Sequence, residues 1–175
     1  MTKENYEKTI VKTDIGVGRF SMRVSFDLDD TLFVTPEEFK TEKELHFPWN
    51  KIYKERLRLG TIELFQYIRE QGIELWIYTT SFRTEGYIRG MFKCYGLKLD
   101  SVVNGERHAR EVQGSKGEAM PSKFPGRYRI DLHVDDDISV AQNGRTYGFK
   151  VHIVGAQDDE WVEKIKREIE RLRSR

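Results

Sequence analysis

Five short apolar runs, with stretches of helical spacing between and after them, constrain this chain more than any other feature of its sequence. The runs cover residues 23–28, 73–78, 101–103, 130–134 and 149–154. They are rich in Val and Ile and lack the strict alternation of a half-solvated sheet, as expected of strands buried on both faces. Between them, Leu57, Leu64, Phe65 and Ile68 fit a helix that stops at Gln71-Gly72. Tyr87, Ile88, Met91, Phe92 and Tyr95 fit another, closed by Gly96. Asp158-Asp159 introduces a final helix whose Trp161, Ile165, Ile169 and Leu172 form one stripe. Strand and helix in alternation predict a three-layer, Rossmann-like α/β fold around a mainly parallel sheet of about five strands, with right-handed crossovers. Sites in such sheets lie at the carboxyl ends of the strands.

At 175 residues the chain fits one domain, 1–175, large enough to hold a core without staples. Residues 1–20 read as an N-terminal extension or hairpin, whose Gly16-Val17-Gly18 lacks a following helix and is a weak nucleotide signal. Residues 33–51, with Pro36, Phe47, Pro48 and Trp49, form an excursion above the first strand and a candidate flap. Residues 158–175 hold the C-terminal helix, and no stretch leaves room for a large cap. A net charge of +1 supplies no field to recruit nucleic acid or a membrane surface. The single Cys94 excludes an internal disulfide, and no run approaches the ~20 apolar residues of a membrane span. With a charged, unprocessed start, the expectation is a cytoplasmic protein.

Chemistry concentrates at the strand ends. The first run closes on Asp27, Asp29 and Asp30, where like charges repel unless a cation or reacting group offsets them. The second ends in Thr79-Thr80-Ser81 ahead of a helix, hydroxyls and amides suited to an anion. The fourth ends in Asp135-Asp136-Asp137 and is preceded by Lys123 in Ser122-Lys123-Phe124-Pro125-Gly126. Carboxylates, a lysine and hydroxyls together suit Mg²⁺, which takes oxygen ligands beside a phosphate, with a carboxylate available as nucleophile. Lys116 competes with Lys123, and the Pro-punctuated spacing to the fourth strand favours Lys123. Arg83 reads as a surface arginine at a helix start, and His133, alternating with core residues, as a packed histidine. His46, His108 and His152 show no metal spacing, and no Walker-type loop occurs.

Phe26-Asp27-Leu28-Asp29-Asp30-Thr31-Leu32 resembles motif I of the haloacid dehalogenase (HAD) superfamily, Thr79 its motif II, Lys123 motif III and Val134-Asp135-Asp136 motif IV, in the right order over residues 23–155. The continuation through Gly148-Phe149 and Trp161 is similar to a small, capless bacterial branch. The resemblance implies a phosphomonoester hydrolase working through an aspartyl phosphate. Asp27 would be the nucleophile and Asp29 the general acid and base. Thr79, Thr80 and Lys123 would bind the phosphoryl group. Mg²⁺ would be held by Asp27, the Asp29 backbone carbonyl and Asp136, with Asp135 as neighbour or alternative ligand. Asp30 has no part and Asp137 is solvated. A phosphorylated small molecule is the expected substrate, and the uncapped site leaves a bulky macromolecular phosphate open. Two other readings remain: a 5′-nucleotidase or nucleic-acid-end phosphatase, and a regulatory module that binds Mg²⁺ and phosphate without turnover. A receiver-type module is disfavoured because the third strand ends in Asn104.

Overall fold

The computed structural model describes residues 21–114 and 120–174; the N-terminal extension and Lys116 lie outside them. Strand β1 (Arg23–Phe26) is followed by an excursion whose base is a two-stranded antiparallel ladder of β2 (Phe33–Val34) and β3 (Arg56–Leu57). The remaining strands are β4 (Glu74–Tyr78), β5 (Ser101–Val103), β6 (Leu132–Asp135) and β7 (Val151–Ile153). With β1 they form a parallel sheet of order β5-β4-β1-β6-β7. The α/β Rossmann-like fold expected from the alternating pattern is therefore present, with five strands in its main sheet among the described residues.

The helices are α1 (Trp49–Ile52), α2 (Thr61–Glu70), α3 (Glu85–Cys94), α4 (Gly105–His108), α5 (Ile138–Tyr147) and α6 (Trp161–Arg173). A π-helical segment, Ala109–Gln113, continues α4, and a 3₁₀ turn, Pro125–Tyr128, precedes β6. One face of the sheet is apolar. Val24, Phe26, Leu75, Ile77, Leu132 and Val134 share a core with α2, α3 and α6. Phe65 of α2 lies there between Phe26 and Phe92, at ring centroid distances of 4.9 and 5.5 Å. Each such buried ring contributes roughly 1.5–3 kcal/mol through apolar area removed from water. Because successive strand residues point to opposite faces, Ser25, Trp76, Tyr78, His133 and Asp135 belong to the other face, and the second core there contains aromatic and polar groups.

Several expected boundaries shift for local reasons. β1 stops at Phe26 because the chain curls immediately afterwards. Asp27 N–H still donates to Val134 C=O at 2.9 Å, but Leu32 and Phe33 N–H then both return to Leu28 C=O. Asp30 adopts φ +58° within that curl, a left-handed conformation that Asp tolerates better than most residues. Leu28 and Leu32, both fully buried, fasten the curl to the core. Leu57, expected in a helix, instead pairs with Phe33 in the β2/β3 ladder. The helix begins at Thr61, after Gly60 at φ +91°. Its free N-terminal amides are met by Glu42, whose Oε1 accepts from Gly60 N–H at 2.9 Å and Ile62 N–H at 3.2 Å, as a capping carboxylate does.

The 33–51 excursion is partly core. Phe33, Val34 and Phe39 are buried, whereas Phe47 and Trp49 are 78% and 47% exposed. Those two aromatics therefore do not anchor the loop to the core. Arg58 ties this region to the far end of the chain. It is 3% exposed, donates to Gly155 and Asp158 C=O, and stacks on Phe39 and Trp161.

Candidate active site

Three adjacent strands, β4, β1 and β6, bring their carboxyl ends together. Asp27 follows β1 directly and is 7% exposed, while Asp135 is the last residue of β6 and has no exposure. One carboxylate oxygen from each of Asp27, Asp135 and Asp136 lies within 4.8 Å of the others. Lys123 enters from the loop ahead of the 3₁₀ turn and is 5% exposed. Its Nζ donates to Asp135 Oδ2 at 2.7 Å and stands 2.9 Å from Asp27 Oδ1. Thr79 follows β4, 1% exposed, with its N–H on Val103 C=O.

The three acids are not equivalent. Burial raises Asp27, and Lys123 only partly opposes it. Burial also works against ionised Asp135, yet the bonds from His133 and Lys123 overcome it and hold that carboxyl at about 2. Asp136 is raised by burial, against the hydrogen bond from Thr31 Oγ1 at 2.9 Å. Lys123 pays a desolvation cost too, but Asp27 and Asp135 keep it charged and push its pKa up. Asp135 is thus the anion that protein groups already neutralise: Oδ2 receives Lys123 and His133, and Oδ1 accepts Asp137 N–H at 3.0 Å. Asp27 Oδ1 is buried and is met by the Lys123 ammonium at 2.9 Å, with no further donor among the described residues. A buried carboxylate with so little compensation next to Asp136 fits a hard divalent cation, since such an ion takes carboxylate oxygens and relieves their repulsion.

Asp29 stands outside this cluster. Its side chain is 52% exposed and is held by Arg83, whose Nη1 lies 2.9 and 3.0 Å from its two oxygens. Arg83 also binds Glu55 through Nε at 2.8 Å and Ser81 Oγ through Nη1 at 2.7 Å. It is therefore not a free surface arginine. It joins the β1 curl, the β4 loop and the excursion, and Tyr87 reinforces Glu55 from α3. The three hydroxyls after β4 do not cap a helix. Helix α3 starts later, capped by Thr84, which accepts Tyr87 N–H. Thr79 Oγ1 accepts Ser81 N–H at 3.1 Å, and Thr80 is exposed. Asp30 is exposed, and Asp137 caps α5 by accepting Ser139 N–H.

Beneath the acids lies a buried polar layer. His133, fully buried, contacts Ser25 Oγ through Nδ1 and Asp135 Oδ2 through Nε2, both at 2.8 Å. Tyr78 Oη accepts Phe124 N–H at 2.8 Å and meets His108 Nδ1 at 2.6 Å. Since Phe124 follows Lys123, Tyr78 steadies the main chain that carries the lysine. The available signal was period two: Ser25 alternates with Val24 and Phe26, and His133 with Leu132 and Val134, so each points to the face opposite the apolar core.

Neither a protein-family model nor a curated protein matches the sequence. Solved structures do resemble the fold. An uncharacterized protein from Listeria monocytogenes serotype 4b aligns with a TM-score of 0.54 at 14% identity, covering 88% of this chain and 99% of that one. A predicted HAD-like family hydrolase from Porphyromonas gingivalis aligns at 0.45 and 13% identity, covering 85% and 98%. The HAD domain of the effector protein Lem4 from Legionella pneumophila aligns at 0.47 and 14%, covering 86% and 94%. The chain thus shares its α/β fold with the Listeria protein along nearly its whole described length, and HAD-like proteins are among the solved structures it resembles.

Proposed function

We propose that the protein is a HAD-type, Mg²⁺-dependent phosphomonoester hydrolase with Asp27 as nucleophile. The observation that carries this reading is Asp27 itself. A carboxylate is buried at the end of the central strand, with a lysine ammonium 2.9 Å from its Oδ1 and Asp136 beside it. Such a group is costly as structure and useful as a nucleophile aimed at phosphorus.

Asp27 attacks the phosphoryl group, the P–O bond to the leaving group breaks, and Asp29 gives the departing oxygen its proton. Asp29 then takes a proton from the water that cleaves the acyl phosphate, restoring Asp27 and releasing inorganic phosphate. Acid–base assistance of this kind contributes ~10²–10⁴-fold in rate. Lys123 and Thr79 face the phosphoryl oxygens, where charge spreads in a loose transition state. Asp27, Asp136 and the Asp29 backbone carbonyl would hold Mg²⁺, which supplies positive charge between the carboxylates and the phosphate. Asp135 has its oxygens occupied by protein donors and serves Lys123 rather than the cation. The substrate class we assign is a phosphorylated small molecule.

The test is hydrolysis of 4-nitrophenyl phosphate and of a panel of phosphorylated metabolites, nucleotides and phosphopeptides, with Mg²⁺ and with EDTA. Asp27→Asn should abolish turnover and leave the melting transition cooperative. Full activity in that variant, or stoichiometric phosphorylation without turnover in the native protein, would overturn the reading.

A further inference from the structure

We infer that His133 is a positioning residue for Lys123, acting through Asp135 and fixed from behind by Ser25. The inference rests on Lys123 serving the reaction proposed above. Ser25 and His133 are register partners on neighbouring strands β1 and β6, and both are completely buried. An aliphatic side chain could fill either place, whereas a buried hydroxyl and imidazole persist only when their polar atoms are bonded. Theirs are bonded in series: Ser25 Oγ to His133 Nδ1 at 2.8 Å, Nε2 to Asp135 Oδ2 at 2.8 Å, and Lys123 Nζ to that same oxygen at 2.7 Å.

The hydrogen-bond directions follow from the network. Ionised Asp135 only accepts, so the imidazole carries a proton on Nε2, and Ser25 Oγ, which can donate or accept, completes the series at Nδ1. The histidine is then bonded on both sides. Asp135 has three donors, from β6, from the Lys123 loop and from the amide of Asp137. Its carboxylate plane is consequently fixed, and so is the ammonium drawn to it. Lysine needs such a constraint more than most groups, because its long flexible stem presents a point charge with no preferred geometry. Lys123 also sits on a loop outside any strand or helix. Tyr78 holds the peptide end of that residue through Phe124 N–H, and the Ser25–His133–Asp135 chain holds the charged end.

Two substitutions at one core position isolate the effect. In His133→Gln the side-chain amide nitrogen can stand near the place of Nε2 and keep a donor on Asp135. In His133→Asn the amide is too short to reach. Both remove the ring, so packing losses are similar and are followed by thermal melts. With 4-nitrophenyl phosphate and Mg²⁺, His133→Asn should lose ~10–100-fold in kcat, the usual consequence of removing a group that orients a site residue. His133→Gln should recover most of it at equal melting temperature. Equal kcat in the two variants, or a native rate in His133→Asn, overturns the inference. Asp27→Asn run alongside separates the failures: if it stays active, the nucleophile assignment falls, irrespective of His133. A readout without turnover completes the test. ¹⁵N–¹H NMR of the native protein should show a slowly exchanging His133 Nε2–H that disappears in Asp135→Ala, which leaves no acceptor there, and a ring that carries its proton on Nδ1 alone would sink the chain.

Discussion

Replacing Asp135 by Asn changes one buried charge and almost no volume, so its effect can be worked from the structure. The carboxyl falls from an ordinary value of 3.8 to about 2, and at about 1.4 kcal/mol per unit the ionised form gains about 2 kcal/mol from its surroundings. The side chain has no exposure, so solvent does not discount that figure. Asparagine forfeits it and adds a conflict. Both Asp135 oxygens accept hydrogen bonds, but an amide keeps one acceptor and turns its other end into a donor facing a donor, at ~1–3 kcal/mol. The total of roughly 3–5 kcal/mol matches the range for breaking a buried pair from one side and corresponds to a melting shift on the order of 10 °C for a chain of this size.

The pH dependence sharpens the test. Asp135 titrates lower in the folded than in the unfolded chain. Its contribution is therefore complete above about pH 4 and is lost as pH falls through about 2, with about half remaining at pH 3. Denaturant unfolding of native protein and Asp135→Asn at pH 7, 5, 4 and 3 should show a gap that narrows on acidification. A gap under about 1 kcal/mol at pH 7, or one that stays constant down to pH 3, would refute the assignment of Asp135 as the structurally neutralised anion.

Asp136→Asn should behave in the opposite way, because burial penalises its charged form: stability holds or rises, while the Mg²⁺ concentration for half-maximal activity climbs ~10–100-fold, and an unchanged Mg²⁺ titration would remove Asp136 from the cation site. Arg83→Gln breaks only partly exposed ion pairs and should move stability by less than about 1 kcal/mol, yet it should lower kcat by ~10-fold or more by releasing Asp29; a native rate would make the Arg83 bridge purely structural. Gly60→Ala forces a Cβ to 2.6 Å from Val162 Cγ2 at φ +91° and should cost ~1–3 kcal/mol in denaturant unfolding.

The sheet was legible in the sequence because parallel strands buried on both faces carry concentrated Val and Ile, and the acids at their ends stand out against that background. The boundaries were less so. Leu57 has the spacing of a helix, but its pairing with Phe33 and the left-handed Gly60 cut the helix off behind it. Glu42 caps that helix from 18 residues away, a distance at which no local motif operates. Arg83 shows the same limit. One arginine near a helix start is ordinary in a sequence, and only the fold reveals that Asp29, Glu55 and Ser81 converge on it. His133 was placed correctly in the core, but its bonds to Ser25 and Asp135 join residues from two strands and were invisible to periodicity.

The strand order carries one more consequence. Asp27 and Asp135 extend from neighbouring strands in the interior of the sheet, with β5 and β7 as outer rails. Fraying at either rim leaves the acidic pair intact, so amides of β1 should exchange with deuterium only on global opening. Lys123 is seated differently, on a loop secured by Tyr78 at one end and Asp135 at the other. Heat or denaturant should therefore silence this protein in two stages, first by unseating a lysine and only afterwards by melting the sheet that holds the acids.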